Sequence, residues 1–305
     1  MEISLQGQTV LYQNKKDDLI RTLKHIARAI RHARDNGMEI KLTYVWGDAS
    51  PKPLFSNQEI MMIQSELGND LQLKYVFFNQ NTGTSLGHNQ MADGCNKDYL
   101  WIMNPDIVVQ IDFFYEIMQP FFQDTNRKIG IVEARQTPVE QRKRYDPVTG
   151  ETSWGSGACT IFRTEVFLGV GGYDADTFFL YCDDVDVSWR IRLKGYKAIY
   201  RPTAVVFHDK RFSSKGLYIP TKAEIYYSLE ARLLMAWKWS FPRLLDGLKE
   251  IYKKTEGEEY RLALESFEKR MRENRLPVRI DPKHKVGDIT STANGEFQDY
   301  GPVRY

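Results

Sequence analysis

Cysteine is scarce in this chain: Cys95, Cys159 and Cys182 are the only three among 305 residues. The number is odd and no pair has metal-ligand spacing, so neither a disulfide framework nor a thiolate metal site is expected. Three reduced, buried thiols in a cytosolic protein are the expectation instead. Long apolar runs are missing too. No uninterrupted stretch reaches the length of a bilayer-spanning helix, and Met1 to Asn14 lacks the basic region and apolar run of a signal peptide. Work at a membrane would then take place on its surface. Charge of one sign is also absent: 42 Lys and Arg against 40 Asp and Glu leave a net charge of +2. That balance is too even to imply a nucleic-acid partner. No Gly-x-Gly-x-x-Gly follows the first apolar segment, which disfavours a dinucleotide-dependent oxidoreductase. The chain has no internal repeat.

What is present is an ordinary globular composition, 42% hydrophobic and 27% charged, with aromatics at 13%. Most of those aromatics are expected in the core. Such a length suits one large α/β domain, or one such domain with a helical appendage. Thr9 to Gln13 reads as a buried strand. Asp17 to Asp35 puts Leu19, Ile20, Leu23, Ile26, Ala27 and Ile30 on one helical face, which ends at Asn36-Gly37. Strands at Glu39 to Trp46, Leu73 to Phe78 and Tyr99 to Met103 alternate with helices at Asn57 to Glu66 and Gly87 to Gly94. This alternation predicts the α/β class, with a mostly parallel sheet covered on both faces.

In such sheets ligands bind beyond the carboxyl ends of the strands. Asn14, Asp48, the loop from Asn79 to Asn89, and Asn104-Pro105-Asp106 all fall at those ends. Turns favour these residue types for their own reasons, but four such loops on one edge favour a binding crevice. Gln136 to Trp154, with Arg142, Lys143 and Arg144, reads as a mobile surface loop. Gly155-Ser156-Gly157-Ala158 permits close backbone approach. Cys159 to Phe162 reads as a strand and Glu165 to Val170 as a helix. From Ala223 the chain looks helical, over Ile225 to Trp239 and Glu256 to Asn274, with a break at Pro242. Leu276 to Tyr305 reads as an extended or partly disordered tail.

The densest chemical signal is Asp183-Asp184-Val185-Asp186, at the start of a predicted helix that ends at Gly195. Helix capping accounts for one or two of these carboxylates. It does not account for the apolar approach, Thr177 to Cys182. Carboxylates at the mouth of an apolar strand lose hydration and repel one another, which raises at least one pKa. A general base needs that property. Asp106, directly after an apolar strand, suits a divalent cation that also takes diphosphate oxygens, because Mg²⁺ and Mn²⁺ often use only one or two protein carboxylates. His208 follows another apolar strand, and its value depends on meeting Asp106 in space.

Taken in order, these segments resemble the family-2 glycosyltransferases, in particular the bacterial rhamnosyltransferase-like branch that builds cell-surface polysaccharides. Asp48-Ala49-Ser50 looks like the family's nucleotide-binding loop, with Ala49 where Asn is usual. Asn81-Thr82-Gly83 through Asn89 looks like its glycine-asparagine loop, and Asn104-Pro105-Asp106 like its metal-binding Asp-X-Asp. Gly155-Ser156-Gly157-Ala158-Cys159 and Val170-Gly171-Gly172-Tyr173-Asp174 are similar to its acceptor-side signature. Asp183-Asp184-Val185-Asp186 with Trp189-Arg190 looks like its acidic helix, with Asp183-Asp184 where Glu-Asp is usual. His208 stands where the family has a late metal-ligand histidine. The likeness covers Thr9 to His208, and more loosely the helices to Phe241.

The resemblance implies a GT-A fold: a Rossmann-like sheet flanked by helices in residues 1–220, a helical extension over 221–275 and a tail over 276–305. Nucleotide would bind to 1–107 and acceptor to 108–220. It implies an inverting transfer of sugar from dTDP-rhamnose or a UDP-sugar to a hydroxyl of a glycan or lipid-linked glycan. Asp184 would be the base, and Asp106 and His208 would hold Mg²⁺ or Mn²⁺. Asp48 would contact base or ribose, and Asn14, Asn104 and the Gly83 to Asn89 loop would line the donor. Gly157 would lie on the acceptor side, and Trp154 would stack on a sugar or sit in the core. Asp183 and Asp186 would position sugar hydroxyls or the helix, and Arg190 would pair with them. The place of action would be the cytoplasm, at the inner face of the membrane. A sugar nucleotidyltransferase would carry a Gly-rich basic loop after the first strand, for which Asn14-Lys15-Lys16 is a poor substitute. A non-catalytic sugar-binding protein would bind without releasing nucleotide. Trp237, Trp239 and Phe241, with Arg232 and Lys238, suit a lipid interface, but packing on the catalytic domain is the simpler expectation.

Overall fold

The computed structural model describes residues 2–138, 143–210 and 219–287, together with the backbone of 290–291 and 297–298. The N-terminal half alternates strictly: β1 (Glu2–Leu11), α1 (Lys16–Asp35), β2 (Glu39–Asp48), α2 (Asn57–Leu67), β3 (Leu71–Phe77), α3 (Gly83–Ala92) and β4 (Tyr99–Met103). Next come β5 (Ile107–Val109), α4 (Phe113–Gln123), β6 (Ile129–Thr137), β7 (Glu151–Thr152), β8 (Cys159–Arg163), α5 (Thr164–Gly169), α6 (Asp183–Leu193) and β9 (Lys197–His208). Three helices follow, α7 (Lys222–Lys238), α8 (Pro242–Lys254) and α9 (Glu258–Arg272), and then the short antiparallel pair β10 (Thr290–Ser291) and β11 (Phe297–Gln298).

One sheet runs in the order β3-β2-β1-β4-β8-β6-β9-β5, with β7 also on β9. It is parallel from β3 to β4. β8 then enters antiparallel to both β4 and β6, while β6 and β9 are parallel. β5 and β7 lie antiparallel to β9. The expected α/β class and parallel sheet are therefore found, and the mixed half lies beyond β4. This order matters for the site. It aligns the ends of β1, β2 and β3 (Leu11 with Asp48, Asp48 with Phe77). It also sets the end of β4 against the start of β8 (Met103 with Cys159), and Ile107 against His208.

β1 begins seven residues earlier than the apolar run Thr9 to Gln13 suggests. Ile3, Leu5 and Leu11 face the core, but Gln6 and Gln8 are buried too and break the apolar pattern. Their amides are satisfied across the α3 interface: Gln6 Nε2 donates to Met91 O at 2.7 Å and Gln8 Nε2 to His88 O at 3.0 Å. Hydrogen-bonded polar side chains of this kind cost little to bury.

The expected surface loop from Gln136 to Trp154 needs correction. β6 continues to Thr137, and Lys143 and Trp154 are buried. Arg142 lies outside the described residues. Of the expected tail, the part to Gly287 is described and has no helix or strand. Ile280 N–H donates to Lys238 O at 2.7 Å, Trp237 Nε1 donates to Pro277 O at 2.9 Å, and Asp281 accepts from the N–H groups of Lys285, Val286 and Gly287. The stretch therefore packs back on the end of α7. The expectation for 288–289, 292–296 and 299–305 falls outside the described residues.

The last three helices share a hydrophobic core with α6. Leu233, Leu234, Trp239, Leu248 and Phe267 pack with Trp154, Val185 and Trp189. Trp239 is fully buried, with its ring edge-on to Trp189 at 4.9 Å. Trp237, Trp239 and Phe241 thus pack in this core, as the simpler expectation held. Among the described residues no helix is long and apolar enough to cross a membrane. All three cysteines are free, Cys159 buried and Cys95 and Cys182 half-buried.

Candidate active site

Two left-handed residues lead into the acidic helix. Tyr181 has φ 66° and Cys182 φ 57°, a conformation that costs a side-chain-bearing residue about 1–2 kcal/mol. Such strain persists where the surroundings over-determine it, often at functional sites. Here it turns the chain so that the first residues of α6 meet the start of α3 and the Gly155–Gly157 turn. Asp183 Oδ2 accepts from Thr84 Oγ1 at 2.8 Å and from Ser85 Oγ at 3.0 Å. Asp184 Oδ2 accepts from Gly157 N–H at 3.0 Å, and its Oδ1 from Val185 N–H at 2.8 Å. Ser188 ties the same turn from below: it receives Gly155 N–H at 3.1 Å and donates to Asp184 O at 2.6 Å.

The two carboxylates differ in environment. Asp183 is 8% exposed. Burial, followed by the neighbouring Asp184 charge, pushes its carboxyl up to about 7. Burial raises Asp184 as well, but the N–H groups of Gly157 and Val185 and the positive charge of Lys143 oppose that rise. Two adjacent acids in one low-dielectric site do not ionise together easily. The opposing donors and the lysine favour the charge on Asp184 and the proton on Asp183. Tyr173 is buried beside them, and burial together with both aspartate charges holds its phenol well above the ordinary range, so it stays protonated.

Asp106 and His208 meet, as the reading of His208 required. His208 Nε2 lies 3.2 Å from Asp106 Oδ1, and Asp209 N–H donates to Asp106 O at 2.9 Å. On the other side of the ring, His208 Nδ1 faces Gln136 Oε1 at 2.7 Å. A carbonyl oxygen only accepts, so Nδ1 carries the proton. In the neutral ring Nε2 then turns a lone pair toward a carboxylate. Two lone-pair atoms at this distance require a proton or a cation between them. The pair is therefore a fitting donor set for a divalent metal, with Gln136 fixing the ring from outside as metal-bound histidines commonly require. Among the described residues no cluster of three or more His, Cys, Asp or Glu side chains could hold a metal. A cation on Asp106 and His208 would draw its remaining ligands from diphosphate oxygens and water, as the Mg²⁺ and Mn²⁺ pattern allows.

Backbone contacts link the two centres. Asn104 N–H donates to Ala158 O at 2.9 Å, next to Gly157. Asn104 and Asp106 follow the end of β4, Gly157 precedes β8 and His208 ends β9, and Asp184 at the start of α6 joins this edge through the Gly157 N–H. Asn14 sits after β1 and caps its own turn, its Oδ1 accepting Tyr12 N–H at 2.8 Å. Gly83, at φ 61°, packs directly under Phe179.

Several residues expected at the ligand are held by the protein itself. Asp48 is 0% exposed, and its carboxylate accepts from Ser50 N–H, Leu54 N–H and the Tyr75 hydroxyl. Both of its oxygens are engaged in shaping the loop after β2. Asn89 grips the Tyr173 backbone in both directions, donating to its O at 2.7 Å and accepting its N–H at 2.9 Å. Asp186 is fully buried between Arg190 (2.7 Å), Lys238 (2.6 Å) and Trp239 Nε1 (3.0 Å). It anchors α7 to α6 and reaches no sugar. Arg190 pairs with it as expected, and also donates to Val170 O and Gly172 O. Trp154 is buried beneath Lys143, whose Nζ lies 3.7 Å from its ring centre.

Residues that sequence reasoning missed include Thr84, Ser85, Gln136, Ser188 and Lys143. Thr84 and Ser85 lay inside a loop already singled out, but two small hydroxyls carry no signal by themselves. Two cavities of about 450 Å³ lie elsewhere, one beside Tyr145, Lys197 and Arg201 and one beside Asn89, Asp174 and Lys238. Neither is lined by Asp106, Asp184 or His208, so the convergent polar groups, not cavity size, mark the site.

No family model matches the chain. It is 35% identical over 78 residues to an N-acetylglucosaminyl-diphospho-decaprenol L-rhamnosyltransferase of Mycobacterium tuberculosis, a match that covers 26% of this chain and 25% of that protein. It is 26% identical over 148 residues to a poly-beta-1,6-N-acetyl-D-glucosamine synthase of Staphylococcus aureus, covering 43% of this chain and 35% of that one. The matches thus span only about a quarter to a third of these relatives. Among solved structures, a Pyrobaculum calidifontis mannosyltransferase bound to GDP-Man and Mn²⁺ superposes with a TM-score of 0.52 at 15% identity, over 88% of this chain and 69% of that one. GalNAc-T7 with UDP, GalNAc and Mn²⁺ gives 0.60 at 14% identity, over 91% of this chain and 56% of that one. At such identities the likeness establishes the fold. The chain therefore has the GT-A fold, and over part of its length it is similar in sequence to a rhamnosyltransferase and to a polysaccharide synthase.

Proposed function

We propose that the chain moves a sugar from a nucleoside-diphosphate donor to a hydroxyl of a glycan or lipid-linked glycan, with inversion, using Asp184 as the base. One observation carries the reading: a hydrogen-bonded, partly buried carboxylate pair joins, through the Gly157 N–H, the same sheet edge as the Asp106–His208 pair. A carboxylate with a raised pKa is suited to take a proton near neutrality. Gly157 and Val185 N–H fix both Asp184 oxygens and leave their remaining lone pairs for an acceptor hydroxyl. Burial and the Asp184 charge raise the Asp183 carboxyl to about 7, so the proton shared by the pair sits more readily on Asp183 and the charge on Asp184.

Asp106 and His208 would hold Mn²⁺ or Mg²⁺, and the imidazole in the set favours Mn²⁺ over the harder ion. Such an ion, when bound, supplies positive charge to a departing diphosphate. Asn104 and the Gly83 turn would border the donor. The named relatives, one acting on a lipid-linked N-acetylglucosamine diphosphate and one making a polysaccharide, support a glycan-type acceptor. We place the work in the cytoplasm at a membrane face, and divide the chain into a catalytic unit over 1–220, with nucleotide on 1–107 and acceptor on 108–220, a helical extension over 221–275 and a tail over 276–305.

The test is a panel of dTDP-, UDP- and GDP-sugars with Mn²⁺, read both as thermal stabilisation and as acceptor-dependent release of nucleoside diphosphate. Stabilisation by at least one donor with release is expected, since a bound ligand raises apparent stability by mass action. Binding without release in the presence of glycan and lipid-linked acceptors would support a sugar-binding protein instead. No response to any nucleotide would overturn the reading.

A further inference from the structure

Lys143 is the least expected charge in the molecule. A lysine is seldom fully buried unless paired, yet this one is 1% exposed and forms an ion pair with Glu133, itself 2% exposed. Buried pairs of this kind contribute little net stability, and well-packed apolar side chains often do as well or better. The location gives the pair another use. The Lys143 ammonium also donates to Trp154 O at 3.1 Å and rests 3.7 Å from the centre of the Trp154 ring. Trp154 opens the turn whose Gly155 N–H reaches Ser188 and whose Gly157 N–H reaches Asp184. Ser188 in turn bonds to Asp184 O. One ammonium thus holds the origin of the backbone segment that grips the base.

We propose that Lys143, held by Glu133, is a positioning residue for Asp184: it anchors the 154–157 turn that donates to the carboxylate, and it supplies a positive charge that acts on that carboxylate from across the site. The proposal rests on the transfer reading for its purpose, but the physical coupling stands apart from it. The titratable groups around Asp184 are Asp183 and Cys182 on its own turn, Tyr173 from the segment before α6, and Lys143 from the segment after β6. None of the first three carries a positive charge. Among these groups Lys143 is the one whose charge favours ionised Asp184, beside the N–H groups of Gly157 and Val185.

Removing the lysine therefore raises the Asp184 pKa. The test is a carbon NMR titration of aspartate carboxyls in the full chain, with Asp184 assigned by its absence in Asp184→Asn. Lys143→Met alone strands the Glu133 charge and is at risk of misfolding. The double variant Lys143→Met with Glu133→Gln removes both charges and keeps the shape. In that variant Asp184 is expected to titrate about one unit higher than in the wild type, and Lys143→Arg to stay close to wild type. The acid limb of the kcat/KM profile moves the same way once a donor is known. An unchanged Asp184 titration in the folded double variant overturns the proposal. Absence of turnover with every donor, together with the expected titration shift, would sink the transfer reading and leave the Lys143–Asp184 coupling in place.

Discussion

His208 Nε2 stands 3.2 Å from Asp106 Oδ1 while Gln136 occupies the opposite ring nitrogen. The contact joins the end of β9 to the loop after β4, 102 residues apart in the chain by number (208 less 106). It makes a donor set that needs a positive centre.

Asp106→Ala and His208→Ala should both fold and both lose the extra thermal stabilisation that Mn²⁺ adds to a nucleoside diphosphate. Gln136→Leu should weaken that effect by about 10–100-fold in metal concentration, because the ring loses its outer partner. Melting curves across a Mn²⁺ series measure this. Full metal dependence in either alanine variant would assign the ion to other ligands.

Asp183 predicts a pH dependence of stability. Its folded carboxyl titrates at about 7, above the unfolded 3.8. The native state therefore holds a proton that the unfolded chain releases. Its favourable contribution is complete below about pH 4 and is lost as pH rises through about 7. Asp183→Asn cannot ionise, so it should gain on the wild type at pH 8 by about 1–3 kcal/mol and differ little at pH 4. Denaturant midpoints at the two pH values decide the matter, and an equal displacement at both contradicts the assignment.

Gly83 should not tolerate a side chain. A Cβ there would sit 2.3 Å from Phe179 O, on a backbone with φ 61°. Gly83→Ala should cost more than about 2 kcal/mol and loosen the Thr84 and Ser85 bonds to Asp183. Gly94→Ala is the control: its φ is 68°, with nothing within 4 Å, so only the backbone penalty of about 1 kcal/mol applies. Equal losses at the two positions would deny the close approach under Phe179.

Lys238 anchors α7 by bonding Asp174 and Asp186 at 2.6 Å each. Lys238→Met leaves a buried carboxylate short of its cation and should destabilise by about 3–5 kcal/mol. A loss below about 1 kcal/mol would show that the apolar core between α6 and α7 holds the extension unaided.

The alternation of β1 to β4 with helices was legible because apolar periodicity reports burial directly. The meeting of Asp106 and His208 was legible because each stands at its own strand end. The site was not legible where the partner comes from far along the chain. Asp48 and Asn89 sit at the right ends, but an Asx residue looks alike whether it faces a ligand or holds a loop. Tyr75 and Tyr173 decide the difference. β1 began early because Gln6 and Gln8 are buried polar residues. Lys143 reads as a surface-loop residue because lysine usually belongs there, and its burial follows from Glu133 on β6 and from the carbonyl and ring of Trp154.

The most direct test of the account is Asp184→Asn. With donor and acceptor identified, this variant should fold, retain Mn²⁺-dependent donor binding, and lose at least about two decades in kcat. Near-normal turnover in Asp184→Asn, with binding intact, would contradict the assignment of the base.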